Sequence, residues 1–443
     1  MKTSALPGFR DFYPDDLALR SHIFAAWRAV AARYGFEEYD GPPLEPLDLY
    51  TAKSGAEIVG QLYNFKDKGD REVALRPEMT PTLARMVAAR ANGLRKPIRW
   101  FSIPQLFRYE RQQRGRLREH FQLNCDLIGE PGPLGDAEII ALAIDVMRAL
   151  GLGAGDVRVR LSDRNAVNIL LAHAGVADKQ RAAAYEALDK AGRQDWDRAR
   201  AGLRDAGFSS ETIEGVRRMT SPAEGGALAL LETVGGGREA AARQVAERLD
   251  HVTSALDAMG LGGFVDIDFT IVRGLAYYTG TVFELFDAGR TLRAICGGGR
   301  YDNLLAALGG VDLPALGFGM GDVVLAELLK ERGLGPTTAA GLDVFLAAVT
   351  GDDLPHVLAL AHELREAGLR VEYALAVVPL RKQLDLAAAR RARHAVLVGP
   401  DDRARGEVVL RDLEEKDKAR AQRAVARDAV VAEIAGLTGQ GAA

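Results

Sequence analysis

Apolar residues recur at helical spacing in several parts of this chain and predict amphipathic helices there. In residues 17–34, Leu17, Ile23 and Trp27 share one helical face, and Gly35 ends the pattern. Further helices are predicted at 79–95, 136–150 and 321–332.

Alternating and β-rich runs predict strands between these helices. Residues 98–128 have the pattern of a long hairpin, with arms IRWFSIPQLFRYE and HFQLNCDLIG and a charged tip, RQQRGRLRE. Further strands are predicted at 157–162, 264–272 and 279–286. From about 165 to 260, alanine, arginine and glutamate dominate and β-branched residues are few, which is typical of a helical insertion.

A second pattern begins after the glycine- and proline-containing stretch 333–338, which we interpret as a linker. Strands predicted at 344–349, 370–375, 395–399 and 407–413 alternate with helices at 355–367 and 380–393. This alternation is typical of a small α/β domain. The predicted domains are 1–165 together with 260–332, a helical insertion at 166–259, and an α/β domain at 341–443.

Composition narrows the class of protein. The chain has 443 residues, of which 27% are charged and 48% apolar, as in globular proteins. The net charge of −4 restricts any nucleic-acid surface to a local patch. The two cysteines, Cys125 and Cys296, form no disulfide framework and show no metal-ligand spacing. No apolar run reaches ~18 residues and the N-terminus has no hydrophobic signal core, so we expect a cytoplasmic protein without a membrane span.

The segment 271–305 carries two glycine-punctuated motifs, RGLAYYTG at 273–280 and AICGGGRYDNLL at 294–305. Glycine allows a ligand to approach the backbone closely, and an arginine such as Arg273 beside it suits an anion. The pattern predicts a polar pocket whose floor is a sheet.

The hairpin tip is rich in arginine. Arg108, Arg111, Arg114, Arg116 and Arg118 fall within eleven residues, with Glu110 and Glu119 among them. One interpretation is a solvated hairpin with charged edges. The other is a clamp for a polyphosphate or an RNA end, because Arg108 and Glu110 share one face of an apolar strand, where an arginine is costly without a partner.

The segment LRPEMT (75–80) follows a strand and opens a helix. Glu78 fits a helix N-terminus, where a carboxylate is stabilised by the helix dipole. Alternatively, its carboxylate faces an ammonium group of a ligand.

Together, LRPEMT, FRYER, RGRLREHFQ, RGLAYYTG, CGGGRYDNL and GEVVLRDL resemble the histidyl-tRNA synthetases, a family of class II aminoacyl-tRNA synthetases. Residues 35–46 are similar to motif 1, 100–130 to motif 2 and 317–329 to motif 3. The resemblance implies an α+β catalytic domain built on the class II antiparallel sheet with flanking helices, and an α/β anticodon-binding domain at the C-terminus. The expected fold class is therefore α/β.

The resemblance implies a two-step reaction. Histidine attacks the α-phosphate of ATP, and the histidyl group then passes to the 3′ end of tRNA(His). Arg108 and Arg273 match the catalytic arginines around the α-phosphate. The implied ATP-binding residues are Arg108, Glu110, Arg116 and Arg293, with Mg²⁺ bridging the phosphates.

The resemblance also implies the groups that select histidine. Glu78 and Thr80 would hold the ammonium group, and Tyr278 would contact the imidazole. Asp126 stands where the family usually has glutamate, and either carboxylate can accept from a ring N–H. The implied histidine-binding set is Glu78, Thr80, Gln122, Asp126, Arg273, Tyr277, Tyr278 and Tyr301. His120 reverses the usual Phe-His order of motif 2, and we assign it no role.

Two positions depart from the family pattern. The usual aspartate of RGLDYY is Ala276, and the arginine of motif 3 is replaced by Val324. These departures are similar to a minority branch that includes plant organellar enzymes. We hypothesise that Arg293 supplies the missing guanidinium; the alternative is an exposed arginine at a strand end.

For tRNA, the resemblance implies contacts from Arg111 and Gln113 in the motif 2 loop and from Arg381 and Lys382 in helix 380–393. Motif 1 implies a homodimer. Whether an extra 5′ guanosine of the tRNA is read stays open. The main alternative function is an inactive regulatory subunit of ATP phosphoribosyltransferase, but that subunit lacks the anticodon-binding domain and the arginine of RGLDYY, and this chain has both. An RNA-sensing module of a larger kinase is disfavoured because the chain has no room for a kinase domain.

Overall fold

The computed structural model describes residues 4–51, 60–110, 113–192, 196–219, 229, 231, 234, 238–272, 277–376, 378–415, 417 and 420–438. The chain divides into two compact units, Met1–Thr337 and Thr338–Ala443. Each unit has its own sheet and hydrophobic core. Within the described residues, no helix is long and apolar enough to cross a membrane.

The larger unit contains eleven described helices and twelve strands. Its helices are α1 Pro14–Arg33, α2 Asp48–Thr51, α3 Thr80–Arg90, α4 Pro133–Ala149, α5 Arg164–His173, α6 Arg181–Gly192, α7 Trp196–Asp205, α8 Ser210–Met219, α9 Glu239–Ala258, α10 Leu304–Gly309 and α11 Asp322–Glu331. Its strands are β1 Glu37–Glu38, β2 Leu44–Pro46, β3 Tyr63–Lys66, β4 Glu72–Leu75, β5 Ile98–Ser102, β6 Gln105–Phe107, β7 Glu119–Ile128, β8 Val157–Asp163, β9 Val265–Ile267, β10 Thr281–Asp287, β11 Cys296–Arg300 and β12 Ala315–Gly321.

A nine-stranded sheet organises this unit, in the order β1-β5-β7-β12-β11-β10-β8-β9, with β6 also paired to β7. All pairs from β5 to β8 are antiparallel, and only the edge pairs β1–β5 and β8–β9 are parallel. A separate three-stranded sheet has the order β2-β4-β3. The predicted fold class, an antiparallel sheet with flanking helices, is confirmed.

One face of the large sheet packs against helices, and the other carries the polar residues. Leu123, Cys125 and Leu127 of β7 point into a core shared with α1 and α4, whose apolar faces are buried there. Gln122, Asn124 and Asp126 alternate with them and lie on the opposite face. The period of two in β7 therefore separates the structural face from the site face.

The first helix begins three residues before its predicted start. Pro14 occupies the first turn, and Asp15 and Asp16 follow it. Proline needs no intrahelical partner for its nitrogen there, and acidic side chains stabilise the helix N-terminus.

The predicted hairpin 98–128 is interrupted on its first arm. Pro104, which has no N–H to donate, separates β5 from β6, and both strands pair with β7. The return arm β7 is continuous. The prediction of a single unbroken first arm was therefore wrong, although the pairing of its two halves with 119–128 holds.

The predicted strand 264–272 is also shorter than expected. Only Val265–Ile267 pairs with β8. Asp268 then accepts hydrogen bonds from the backbone nitrogen (2.9 Å) and hydroxyl (2.6 Å) of Thr270, which turns the chain out of the sheet.

The smaller unit is a five-stranded sheet in the order β14-β13-β15-β16-β17. Its strands are β13 Val344–Ala348, β14 Val371–Tyr373, β15 His394–Val398, β16 Glu407–Asp412 and β17 Gln422–Ala426. Its helices are α12 Leu354–Glu366, α13 Leu380–Ala389, α14 Pro400–Ala404 and α15 Val430–Thr438. The sequence patterns predicted four of these strands and the helices α12 and α13; β17, α14 and α15 were not predicted.

Candidate active site

Glycines on β12 form a bare floor beneath the polar side chains of β7. Gly319 and Gly317 lie opposite Asn124 and Asp126 in the strand register. A Cβ at Gly319 would stand 2.2 Å from Nε2 of Gln122, and one at Gly317 would stand 2.3 Å from Oδ1 of Asp126. These glycines are required because the side chains of β7 occupy the space above β12.

The next strand, β11, continues this floor. Gly299 pairs with Val282 of β10 on one side and with Gly317 on the other. A Cβ at Gly299 would stand 3.0 Å from the ring of Tyr278 and 2.5 Å from the carbonyl oxygen of Thr281. The glycine run of CGGGRYD therefore seats an aromatic ring, and the predicted sheet floor is present.

A cavity of about 540 Å³ lies on this face. It brings together five residues predicted from the sequence to bind ATP or histidine. They are Arg108, Glu110, Arg116, Gln122 and Arg293. A cavity lined by four arginines, with Arg290 as the fourth, and with a glycine floor suits an extended, polyanionic ligand.

Two of the cavity arginines are positioned by contacts close to the floor. Nε of Arg108 donates to the carbonyl oxygen of Pro77 at 2.9 Å, which places this guanidinium beside the residue that precedes Glu78. Arg116 forms an ion pair with Glu110, whose side chain is buried. Glu110 therefore holds the arginine of the motif 2 loop in the lining of the same cavity as Arg108.

Arg293 reaches the same loop from the segment between β10 and β11. Its Nη2 donates to Oε1 of Gln113. Gly115 lies between Arg293 and Val324, since a Cβ there would stand 3.1 Å from Val324 and 3.6 Å from the side chain of Arg293. The side chains of Arg293 and Val324 therefore both lie close to Gly115.

A second cluster surrounds Asp126. The hydroxyl of Tyr301 donates to Oδ1 of Asp126, and both side chains are buried. Burial raises the pKa of Asp126 to about 7, and the hydrogen bond from Tyr301 opposes this shift. The result is a carboxyl group that changes its charge near neutral pH.

Aromatic rings connect this carboxyl group to Glu78. The hydroxyl of Tyr277 donates to Oε2 of Glu78 at 3.3 Å. The ring of Tyr277 lies 5.2 Å from that of Tyr278 and 6.0 Å, edge to face, from that of Tyr301. Thr80, the first residue of α3, is half-buried two positions after Glu78. Glu78, Asp126 and the three tyrosines therefore form one largely buried cluster, which lies outside the residues that line the 540 Å³ cavity.

Three further predicted positions cannot be placed in this way. Arg273 and Ala276 lie outside the described residues, as does Arg111. Their roles stay predictions. Arg381 and Lys382 lie in the smaller unit, exposed in the first turn of α13.

Further residues line the cavity to which we assigned no role from the sequence. His120 lines it, and its pKa is lowered to about 3 by burial and then by the charges of Arg108, Arg10 and Arg116. Its ring is therefore neutral. The period of two along β7 could have identified it, because His120 shares the face of Gln122. Asp189 of α6 and Arg290 also line the cavity, and no local sequence pattern marks them.

Comparisons with known proteins found similar proteins for both units of the chain. A family model described as histidyl-tRNA synthetase matches residues 8–322, and one described as anticodon binding domain matches residues 343–437. The chain is 47% identical to a histidine–tRNA ligase of Opitutus terrae, covering 92% of this chain and 93% of that one. It is 40% identical to a chloroplastic/mitochondrial histidine–tRNA ligase of Arabidopsis thaliana, covering 92% and 82%. The crystal structure of histidyl-tRNA synthetase from Nostoc is similar with a TM-score of 0.84 at 25% identity, covering 99% of this chain and 100% of that one.

Proposed function

The chain belongs to the histidyl-tRNA synthetase family, and we propose that it acts as a histidine–tRNA ligase. It activates histidine with ATP, releasing pyrophosphate, and transfers the histidyl group to the 3′ end of tRNA(His). One observation supports this proposal above the others. The arginine-lined cavity and the buried Asp126–Tyr301 pair both lie against glycines of β12. We assign residues 1–165 and 260–332 to the catalytic domain, 166–259 to a helical insertion and 341–443 to the anticodon-binding domain.

At the ATP end, the arginines stabilise negative charge on phosphate oxygens. We assign Arg108 to the α-phosphate, because its contact with Pro77 places it between the cavity and Glu78. Arg116, held by Glu110, faces the terminal phosphates. Arg273 is proposed as the second catalytic arginine from its motif alone. The histidine carboxylate is already ionised at neutral pH, so the attack on phosphorus needs no general base.

Arg293 is the best candidate to replace the motif 3 arginine. Val324 offers no hydrogen bond, and Arg293 stands on the other side of Gly115 from it. The hydrogen bond from Arg293 to Gln113, which keeps its side chain beside the motif 2 loop, supports this role. We propose that it binds a phosphate or the adenine end of ATP.

The cavity suits Mg²⁺ that arrives with ATP. Among the described residues there is no cluster of three or more histidine, cysteine or carboxylate side chains that could hold a metal ion. Magnesium keeps several waters and binds through one or two carboxylates together with substrate phosphates. Glu110 and Glu284 line the cavity and can meet such an ion, which would neutralise phosphate charge.

For the amino acid, we assign the cluster around Asp126 and Glu78, whose hydrogen-bonding groups suit histidine. Glu78 and Thr80 face the ammonium group, with Tyr277 orienting Glu78. Asp126 accepts from an imidazole N–H, and Tyr301 fixes the orientation of its carboxylate. Gln122 and Tyr278 complete the walls. A pocket built on such buried polar groups discriminates against amino acids that leave them unpaired.

The tRNA contacts are proposed at two places. Gln113 and Arg111, in the motif 2 loop, are suited to meet the acceptor end. In the smaller unit, a cavity of about 330 Å³ opens beside the ends of β13 and β14, and Pro379 and Gln383 line it. Arg381 and Lys382 lie between these two residues and face solvent, where they can meet phosphates of the tRNA.

The double variant Arg381→Ala/Lys382→Ala tests this assignment. We expect a higher KM for tRNA and a shallower dependence of that KM on salt, because phosphate contacts release counterions. Amino acid activation should be unchanged. An unaltered KM for tRNA across salt concentrations would refute the assignment.

A homodimer through motif 1 is proposed for the larger unit. Motif 1 contributes the edge strand β1 and the edge strand β2 of the small sheet. Leu44 of β2 and Phe65 of β3 expose apolar side chains on that small sheet, 37% and 48% respectively. A monomeric mass by light scattering at micromolar concentration would contradict this proposal. We propose the cytoplasm, where ATP and tRNA meet, as the site of the reaction.

The full reaction is tested by charging tRNA. The protein, ATP, Mg²⁺ and radioactive histidine are incubated with a tRNA(His) transcript, and aminoacyl-tRNA is separated on acid gels. We expect charging of tRNA(His) and none of a tRNA for another amino acid. A regulatory subunit would give no charged product, but the anticodon-binding domain and the ligases found as relatives do not favour that function.

A further inference from the structure

The N-terminal segment crosses the return arm of motif 2 before α1 begins. The carbonyl oxygen of Gly8 accepts from the backbone nitrogens of Arg118 (3.0 Å) and Glu119 (3.3 Å). Gly8 has φ +88°, and a Cβ there would stand 2.7 Å from the side chain of Arg118. Only glycine permits this approach. It places the residues that follow Gly8 beside the beginning of β7.

From this position, the side chain of Arg10 contacts both β7 and α11, which are far apart in the sequence. Its Nε donates to Oε1 of Glu119 at 2.6 Å, and its Nη1 donates to Oδ2 of Asp322 at 2.9 Å. Glu119 and Asp322 are almost completely buried, with side-chain exposures of 1% and 3%. A guanidinium that bridges two buried carboxylates has a fixed position.

The two carboxylates also accept hydrogen bonds from residues of β6 and β7. Oδ1 of Asp322 accepts from the backbone nitrogen of Phe121 at 2.9 Å. Oε2 of Glu119 accepts from Nε2 of Gln105 at 2.9 Å. The network therefore sets the distance between the start of β7 and the first turn of α11.

Both of these elements present residues to the ATP cavity. His120 lies between Glu119 and Phe121, and Val323 and Val324 follow Asp322. The charge of Arg10 is close enough to His120 to lower its pKa, after burial and Arg108. Arg10 itself does not line the cavity, so any effect on ATP must pass through the residues it holds.

We propose that Arg10 is a positioning residue for the adenylation step. By bridging Glu119 and Asp322, it holds the motif 2 strand and the motif 3 helix at the separation that ATP requires. This inference rests on the proposed function, since it assigns the cavity to ATP. It also gives the motif 3 helix a role in a chain that has Val324 in place of the motif 3 arginine.

The test compares Arg10→Gln with the wild type in histidine-dependent ATP–pyrophosphate exchange. Arg148→Gln is the matched control, because Arg148 forms an exposed ion pair with Asp145 in the same unit. We expect the KM for ATP to rise about tenfold or more in Arg10→Gln, while the KM for histidine changes less than about twofold. The control should match the wild type.

A second variant separates positioning from folding. Asp322→Asn removes one partner, and in Arg10→Gln/Asp322→Asn the effect on the KM for ATP should be smaller than the product of the single effects. Arg10→Lys, which keeps the charge but cannot span both carboxylates, should be intermediate. Should Arg10→Gln be too unstable to assay, the lysine variant decides the question.

Two results would overturn the proposal. One is a parallel rise in the KM for ATP and for histidine, and the other is a fall in melting temperature with neither KM changed; both would make the network merely structural. Failure of the proposed function itself is distinguishable, because the wild type would then show no exchange.

Discussion

At the scale of single residues, we propose that the selection of histidine depends on Asp126. Its carboxylate is buried on the site face of β7 and is oriented by the hydroxyl of Tyr301, a residue 175 positions away. Burial raises its pKa to about 7. The free enzyme therefore contains both protonation states at neutral pH, and only the ionised state accepts a hydrogen bond from the imidazole with full strength.

This residue predicts a pH dependence of histidine activation. Below pH 7 Asp126 is protonated, and above pH 7 it is ionised, so kcat/KM for histidine should rise between pH 6 and 8. The imidazole of free histidine also titrates, near pH 6.5. The variant Asp126→Asn shares that titration but lacks the carboxyl group. We expect it to lose about 10- to 100-fold in kcat/KM for histidine and to show a flatter acid limb. An acid limb as steep in Asp126→Asn as in the wild type would contradict this role.

Arg293 predicts a selective effect on ATP. Removing a guanidinium that meets a charged ligand costs ~1.5–3 kcal/mol, so Arg293→Ala should raise the KM for ATP or lower kcat by about 10- to 100-fold. Arg114→Ala is the control, because Arg114 belongs to the same loop but pairs with Glu331 at 2.5 Å. Unchanged ATP kinetics in Arg293→Ala would leave Arg293 as an ordinary strand-end arginine.

At the scale of elements, the glycines of β11 and β12 decide where the substrate can lie. The sequence indicated a glycine floor because glycine allows a ligand to approach the backbone closely. The strand register shows that side chains of the protein also approach these glycines. Side chains from β7 and the ring of Tyr278 lie where Cβ atoms would otherwise stand. The glycines therefore make room for side chains of the protein as well as for a ligand.

Two glycines of β12 provide a matched pair of variants. In Gly319→Ala the three atoms nearest to the new Cβ all belong to the side chain of Gln122, the first at 2.2 Å, so the sheet should tolerate the change while Gln122 is displaced. We expect the KM for histidine to rise about tenfold with a nearly unchanged melting temperature. Gly321→Ala adds a Cβ with no neighbour within 4 Å, and its KM for histidine should stay at the wild-type value. Equal KM values for the two variants would show that Gln122 does not line the histidine pocket.

The sequence predicted elements well where the periodicity is strong and poorly where a single residue breaks the pairing. The apolar spacing in α1 was sufficient to predict a helix, and the β-rich run in β7 was sufficient to predict a strand. Pro104 divided the first arm of the hairpin, and the turn at Asp268 ended β9 early. The glycine motifs predicted that a pocket exists. They could not predict Asp126–Tyr301 or the network of Arg10, because these contacts join residues far apart in the sequence.

At the scale of the whole molecule, two compact units divide the reaction. The larger unit contains the 540 Å³ cavity and the cluster of Glu78, Asp126 and three tyrosines. The smaller unit contains the exposed Arg381 and Lys382. The boundary between the units, at Thr337 and Thr338, falls within the stretch 333–338. We propose that Arg293 and the network of Arg10 compensate for Val324, where the sequence resemblance led us to expect an arginine.

Histidine-dependent exchange of pyrophosphate into ATP tests the central claim most directly, since it needs the larger unit's cavity and histidine cluster but no tRNA. We predict exchange with pure histidine and Mg²⁺, none with other amino acids, and a loss of about a hundredfold or more in Arg108→Gln. A folded protein that shows no exchange with pure histidine would contradict the assignment as a ligase.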